Sequence, residues 1–205
     1  MAARRSDTAA PRELRARGLA TRERLLEAGG RVFASRGMHA ARIDDICKVA
    51  ATSHGTFYLY FANQEELFHA LAEQVAGELE ALAARLPALT PDAAGRDALD
   101  EWLREFGGLY ARTGPVIRAW TETEIVASEM GRLGTVVWAT FTSALVERIR
   151  ATGVEGIDPV MAALALVAMI ERANYYVLTA QAPAPDGMLP ATLARVTHGA
   201  IFGRV

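Results

Sequence analysis

Side chains suited to catalysis are sparse in this sequence. The four histidines, His39, His54, His69 and His198, are scattered without metal-ligand spacing. Cys47 is the single cysteine, and it falls on the apolar stripe of a short segment, where a buried small hydrophobe outweighs a nucleophile or redox sensor. Phosphate-cradling, zinc-binding and nucleophile-elbow motifs are absent, so the sequence implies no catalytic residue, no metal and no cofactor. A different chemistry is concentrated in "HGTFYLYF", His54 to Phe61, where four aromatic residues fill half of eight positions in a chain that is 7% aromatic overall. Hydroxyl groups are among the side-chain groups with which proteins contact phosphates and base edges.

Helices must hold that segment. Alternating runs bounded by turns are absent and nearly every segment fits a helical period, so the expected fold is all-α. A first helix runs through "TRERLLEAGGRVFASRG", with Leu25, Leu26, Val32 and Phe33 on one side and Arg36-Gly37 as its stop. In "RIDDICKVA", Ile43, Ile46, Cys47 and Ala50 form one stripe, with Asp44 and Asp45 near the positive end of the dipole. After the break "ATS" comes the helix "HGTFYLYF", in which Phe57 and Phe61 share a face and Thr56, Tyr58 and Leu59 point elsewhere. Asn63 and Glu66 are spaced for a capping box on the next helix, which Pro87 and Pro91 close. From Asp92 onward five further helices are expected, punctuated by Gly114-Pro115, by Gly131 and Gly134, by Gly153 to Pro159 and by Pro183 to Pro190. Val160 to Ile170 is apolar all the way round and needs cover on more than one side.

Two short helices across a break of three or four residues make a helix-turn-helix arrangement, whose second helix suits the major groove. The run from Thr21 to Phe68 resembles the N-terminal DNA-binding domain of TetR-type (tetracycline-repressor-like) transcriptional regulators. "RERLLEAGGRVFASRG" corresponds to the family's first helix, "IDDICKVA" to its second, "SHGTFYLYF" to its recognition helix and "NQEELF" to the start of the helix joining two domains. The resemblance implies an N-terminal arm and DNA-binding domain over residues 1–68 and a larger helical effector-binding and dimerisation domain over 69–205. The implied DNA-binding set is Arg42, Thr52, Ser53, His54, Gly55, Thr56, Tyr58, Leu59 and Tyr60. Within it, Gly55 allows close approach to the DNA backbone, Thr56 and Tyr58 contact bases and phosphates, and Arg42 meets phosphate. Leu59 falls at a variable base-facing position where it can read a thymine methyl. Phe57 and Phe61 match core positions, and Tyr60 serves either purpose. The sequence departs from the family at Ala51 and Thr52, where a Gly followed by an apolar residue is common, and at His54, Ala62 and Gln64, where Lys is common. Fewer phosphate contacts weaken the counterion-release contribution or shift it to the Arg-rich arm, where Arg4, Arg5, Arg12 or Arg15 can reach the minor groove.

The resemblance also implies a homodimer formed through the last two helices, presenting two recognition helices to a palindromic operator on double-stranded DNA. It implies an effector pocket inside the C-terminal domain. Trp102, Phe106, Tyr110, Trp120, Trp138, Phe141, Asn174 and Tyr175, with Glu124 as a charged group, suit a mainly apolar small molecule. Glu171 and Arg172 are expected to make surface or interface pairs. A ligand preferring the conformation with separated recognition helices releases a repressor of this kind from DNA.

Bulk properties agree with a regulator and leave one competitor. At 205 residues with 51% hydrophobic and 22% charged residues the chain is an ordered globular protein of one or two domains. The net charge is −2, but residues 1–70 hold 11 Lys+Arg against 8 Asp+Glu, while 71–205 hold 11 against 16. The N-terminal third is therefore the part suited to anionic partners, although an arm of this composition is also what a solvated tail looks like. The charge-free run between Asp158 and Glu171 is too short for a membrane span, and one cysteine with no signal-peptide pattern points to the cytoplasm. The competing reading is a helical ligand-binding or interaction module with weak or lost DNA binding.

Overall fold

The structure, a computed structural model, describes the backbone of residues 9–38, 40–121, 129–179, 181–182, 185 and 187–203, and within those ranges the side chains from 15 onward except 115, 118–121 and 129–131. All regular secondary structure among the described residues is α-helical: α1 (Ala9–Arg36), α2 (Ile43–Val49), α3 (His54–Tyr60), α4 (Gln64–Ala84), α5 (Ala93–Thr121), α6 (Glu129–Thr152), α7 (Pro159–Leu178) and α8 (Met188–Phe202). The helices fall into two units, Met1–Glu73 and Gln74–Val205.

In the first unit α1 begins at Ala9, well before the Thr21 start that periodicity suggests. The physical reason is local: Pro11 is tolerated in a first turn, and the run that follows is rich in Ala, Arg and Leu, all strong helix formers. Arg12, Arg15 and Arg17 therefore sit on a helix, while Arg4 and Arg5 lie outside the described residues. The core beneath is made by Leu25, Leu26, Val32 and Phe33 of α1, Ile46 and Cys47 of α2, Phe57 of α3 with Phe61 just after it, and Leu67 and Phe68 of α4, all buried. Each such large side chain contributes roughly 1.5–3 kcal/mol by leaving water. Phe33 and Phe68 meet edge to face with centroids 5.1 Å apart. Burial first, and the charge of Asp44 second, push the Cys47 thiol above its ordinary value, as befits a packed hydrophobe.

The turns are fixed by caps that the sequence encodes. At the end of α2 the Thr52 N–H bonds to the Cys47 carbonyl at 3.0 Å and the Ala51 N–H to the Lys48 carbonyl at 3.3 Å, with Ala51 at φ +50. That pair of bonds is a Schellman motif, and its left-handed position, usually glycine, is an alanine here. Ser53 caps α3 by accepting from the Thr56 N–H at 3.1 Å. Asn63 accepts from the Glu66 N–H at 2.8 Å, and Glu66 reaches back to the Ala62 N–H at 2.6 Å, one residue outside the usual capping box.

The second unit holds fewer helices than the sequence suggests. α5 runs unbroken through Gly114-Pro115, so two expected helices are one. A proline inside a helix sacrifices a backbone bond and costs about 3 kcal/mol. Burial of Leu109, Tyr110, Val116 and Ile117 on either side of it offsets that cost. Likewise α6 starts at Glu129 and passes through Gly131 and Gly134. Asp158 caps α7 by accepting from the N–H groups of Val160 and Met161 at 3.0 and 2.8 Å. By length and composition α7 is long and apolar enough to cross a bilayer. Yet it buries Ala163, Leu166, Val167 and Ile170 within the unit, and Glu171, Arg172 and Asn174 break its later half, as in an ordinary core helix. On its other side Met161 and Leu164 remain 60% and 55% exposed, with Val196 of α8 also open.

Candidate nucleic-acid interface and interior cavity

α3 divides its side chains cleanly. Phe57 is fully buried and, with Phe61 at the C-cap, anchors the helix to the core, their ring centroids 5.9 Å apart. On the outer side Ser53, His54 and Gly55 are exposed, Tyr58 is 55% exposed and Leu59 is 81% exposed. Thr52, Thr56 and Tyr60 are half-buried. One exposed leucine alone is ordinary, so Leu59 bears on a partner surface only together with its neighbours Gly55 and Tyr58.

Several members of the set already have structural duties. The Ser53 hydroxyl lies 3.0 Å from that of Thr56 besides capping the helix, so the two are oriented as a pair. His54 Nε2 meets Asp44 Oδ1 of α2 at 2.5 Å, and both side chains are more than half exposed. An acidic group therefore stands beside the residues expected to meet DNA. The Tyr60 hydroxyl is directed at α1, where a Cβ built on Gly18 would lie 3.5 Å from it, which favours its packing role. Arg42 and Lys48, at the two ends of α2, are exposed, as are Arg15 and Arg17 on α1. Arg36 is instead engaged by Asp45 at 2.7 Å, and Arg22 lies over the Phe61 ring at 5.5 Å.

Gly55 is informative by what surrounds it. A Cβ added there would meet only Ser53 Oγ, at 3.8 Å, an ordinary contact. Nothing among the described residues requires a glycine at this position, and glycine weakens a helix relative to alanine.

The second unit encloses an aromatic cluster. Trp102 stacks on Phe106 at 6.1 Å, and Phe141 stands edge-on to both at 6.0 and 5.8 Å. Around it is a cavity of about 20 Å³, the room for one water, walled by these rings, Trp138, the aliphatic groups of Leu86, Leu99, Leu145, Val167 and Ile170, and Thr197. A second cavity of about 10 Å³ lies against Tyr110, Leu79, Ile117 and Val137 and shares Phe106, Trp138 and Phe141 with the first. Of the residues expected to line a pocket, Trp102, Phe106, Tyr110, Trp138 and Phe141 do so. Asn174 and Tyr175 do not: Asn174 is buried with its Nδ2 donating to the Ile170 carbonyl at 2.8 Å, and the half-buried Tyr175 ring lies under Arg172 at 4.9 Å. The side chains of Trp120 and Glu124 lie outside the described residues. Glu171 is buried and accepts from the Tyr110 hydroxyl at 2.8 Å, and its other oxygen pairs with Nε of the half-exposed Arg172 at 3.7 Å. The aliphatic wall and Thr197 carry no sequence signal beyond helical period, which most residues of α5 to α8 share. Among the described residues no group of His, Cys, Asp and Glu stands close enough to hold a metal ion.

Known proteins resemble this geometry. Residues 25–71 match the family model for bacterial regulatory proteins of the tetR family. The HTH-type transcriptional regulator YvdT of Bacillus subtilis is 43% identical over 53 residues, which is 26% of this chain and 27% of YvdT, so the chain spans about a quarter of that relative's length. EthR of Mycobacterium tuberculosis, also an HTH-type transcriptional regulator, is 27% identical over 194 residues, covering 90% of this chain and 85% of EthR. The transcriptional regulator FadR of Bacillus subtilis, solved in complex with stearoyl-CoA, shares the fold with a TM-score of 0.62 at 17% identity, over 89% of this chain and 98% of FadR. The chain thus carries the helix-turn-helix of the tetR family over residues 25–71 and shares its helical fold, along most of its length, with solved transcriptional regulators.

Proposed function

We propose that the protein is a transcriptional regulator that binds a palindromic operator as a homodimer and is released by a mainly apolar small molecule, a binding protein and not an enzyme. The observation that carries this reading is α3: buried phenylalanines beneath, and Gly55, Tyr58 and Leu59 open on the outer side. Residues 1–68 make the DNA contacts. Tyr58 and Thr56 donate hydroxyls to phosphates and bases, Leu59 meets a thymine methyl, and Arg42, with Arg15 and Arg17, supplies positive charge. Residues 69–205 bind the effector and the second copy. The open apolar side of α7 and α8 supports pairing, because burying Met161 and Leu164 between two copies removes them from water. Two recognition helices then sit about one DNA turn, roughly 34–36 Å, apart.

The complex of FadR with stearoyl-CoA supports the idea that this fold can hold a ligand bearing a long acyl chain. Selection of bound duplexes from a random DNA pool tests the reading: enrichment of one palindrome at moderate salt is expected, and failure to enrich any palindrome overturns it.

A further inference from the structure

Thr197 is fully buried in α8, and its hydroxyl has no hydrogen-bond partner among the described residues. Several threonines elsewhere in the chain, two within helices and one at a C-cap, bond to a carbonyl one turn back: Thr113 to Leu109 at 2.8 Å, Thr140 to Val136 at 3.0 Å and Thr179 to Tyr175 at 2.7 Å. Thr197 does not, and among the described residues it brings the one hydroxyl to the wall of the cavity beside Trp102, Phe106 and Phe141. A buried hydroxyl without a partner is unfavourable, so its persistence on a cavity wall calls for an explanation.

We infer that Thr197 is the polar anchor of the effector site, and that the site takes an uncharged ligand, a hydrocarbon body carrying one neutral hydrogen-bonding group such as a hydroxyl or carbonyl. The inference rests on the effector reading given above and narrows its ligand class. The hydrocarbon body lies against the aromatic cluster, while the hydroxyl of Thr197 donates to or accepts from the single polar group. A carboxylate is rejected because the described lining offers no cation, and an ion cannot be buried uncompensated. The cavity as it stands admits about one water, so the ligand enters by moving Phe106, Trp138 and Phe141, the three rings common to both cavities.

The test uses 1-octanol and octanoate at pH 8 as probes, with binding followed by quenching of tryptophan fluorescence in the full chain. Saturable octanol binding is expected, with octanoate at least about tenfold weaker. Thr197→Val keeps the shape and removes the hydroxyl, and should weaken octanol binding by about tenfold while thermal unfolding of the free protein moves no lower. Thr197→Ser, which keeps the hydroxyl, should retain binding and guards against a folding defect in the valine variant. Octanol binding unaffected by Thr197→Val, octanoate binding equal to octanol, or no saturable binding of either overturns the inference. Operator affinity measured in parallel separates the two claims. Octanol that binds through Thr197 and leaves DNA bound refutes effector release but not the site, whereas intact operator binding with no saturable octanol binding refutes the site but not DNA recognition.

Discussion

Gly55→Ala should move stability and DNA affinity in opposite directions. The added methyl would meet only Ser53 Oγ at 3.8 Å, so it introduces no strain within the protein. Alanine in a helix is favoured over glycine by roughly 0.5–1 kcal/mol, and the variant should gain an amount of that order in urea unfolding with an unchanged slope. In the proposed docking on DNA the same methyl would stand between the helix backbone and phosphate. Loss of a hydrogen bond to a charged group costs roughly 1.5–3 kcal/mol, or about tenfold to a hundredfold in affinity. Fluorescence anisotropy of a labelled operator duplex, taken at several salt concentrations, reads the second quantity. Wild-type affinity in the variant refutes the close approach at Gly55. A less stable variant refutes the claim that the fold has no use for glycine there.

The remaining expectations are more local. Ala51→Gly relieves a left-handed alanine at φ +50, which costs about 1–2 kcal/mol, against a loss of roughly 0.4–1 kcal/mol in unfolded-chain entropy; a net gain of about 0.5–1 kcal/mol in urea unfolding should result. Tyr58→Phe should leave unfolding unchanged, since the ring is 55% exposed, and weaken operator binding by about tenfold through removal of the hydroxyl. Arg42→Ala should lower the slope of log affinity against log salt by about 0.9 for each phosphate that the arginine neutralises, and an unchanged slope removes Arg42 from the interface. Because burial and Asp44 hold the Cys47 thiol above its ordinary value, the folded state keeps its proton longer than the unfolded chain. Its contribution to stability is then complete below the unfolded value and fades as pH rises through the folded one, and Cys47→Ala should flatten the alkaline limb of a stability profile.

Legibility followed the range of the interactions. Asn63 announces its helix start because a cap is made within three residues of the chain, and the structure finds it in use, alongside caps at Ser53 and Asp158. The aromatic division in α3 is equally local, set by the spacing of Phe57 and Phe61. Gly114-Pro115 misled because its cost is met by burial of Val116 and Ile117, which depends on partners elsewhere in the chain. The cavity was half legible. Aromatic residues on α5 and α6 stood out by size, but nothing local separates Leu99 or Ile170 on the wall from other apolar residues, or Thr197 from threonines that bond to their own helix. Asn174 lines neither cavity, and the bond from its Nδ2 to the Ile170 carbonyl of its own helix is one that residue type alone does not announce.

The three rings shared by the two small cavities carry a kinetic consequence. A molecule larger than water must wait for Phe106, Trp138 and Phe141 to part before it can enter, so opening precedes binding. The observed binding rate of such a ligand levels off as its concentration rises, at a ceiling set by the motion of the rings and not by diffusion. Ligand affinity includes the work of opening, and a variant that trims one ring while leaving Thr197 in place raises the ceiling as well as the affinity. Speed of response, in a sensor built this way, is a property of its packing.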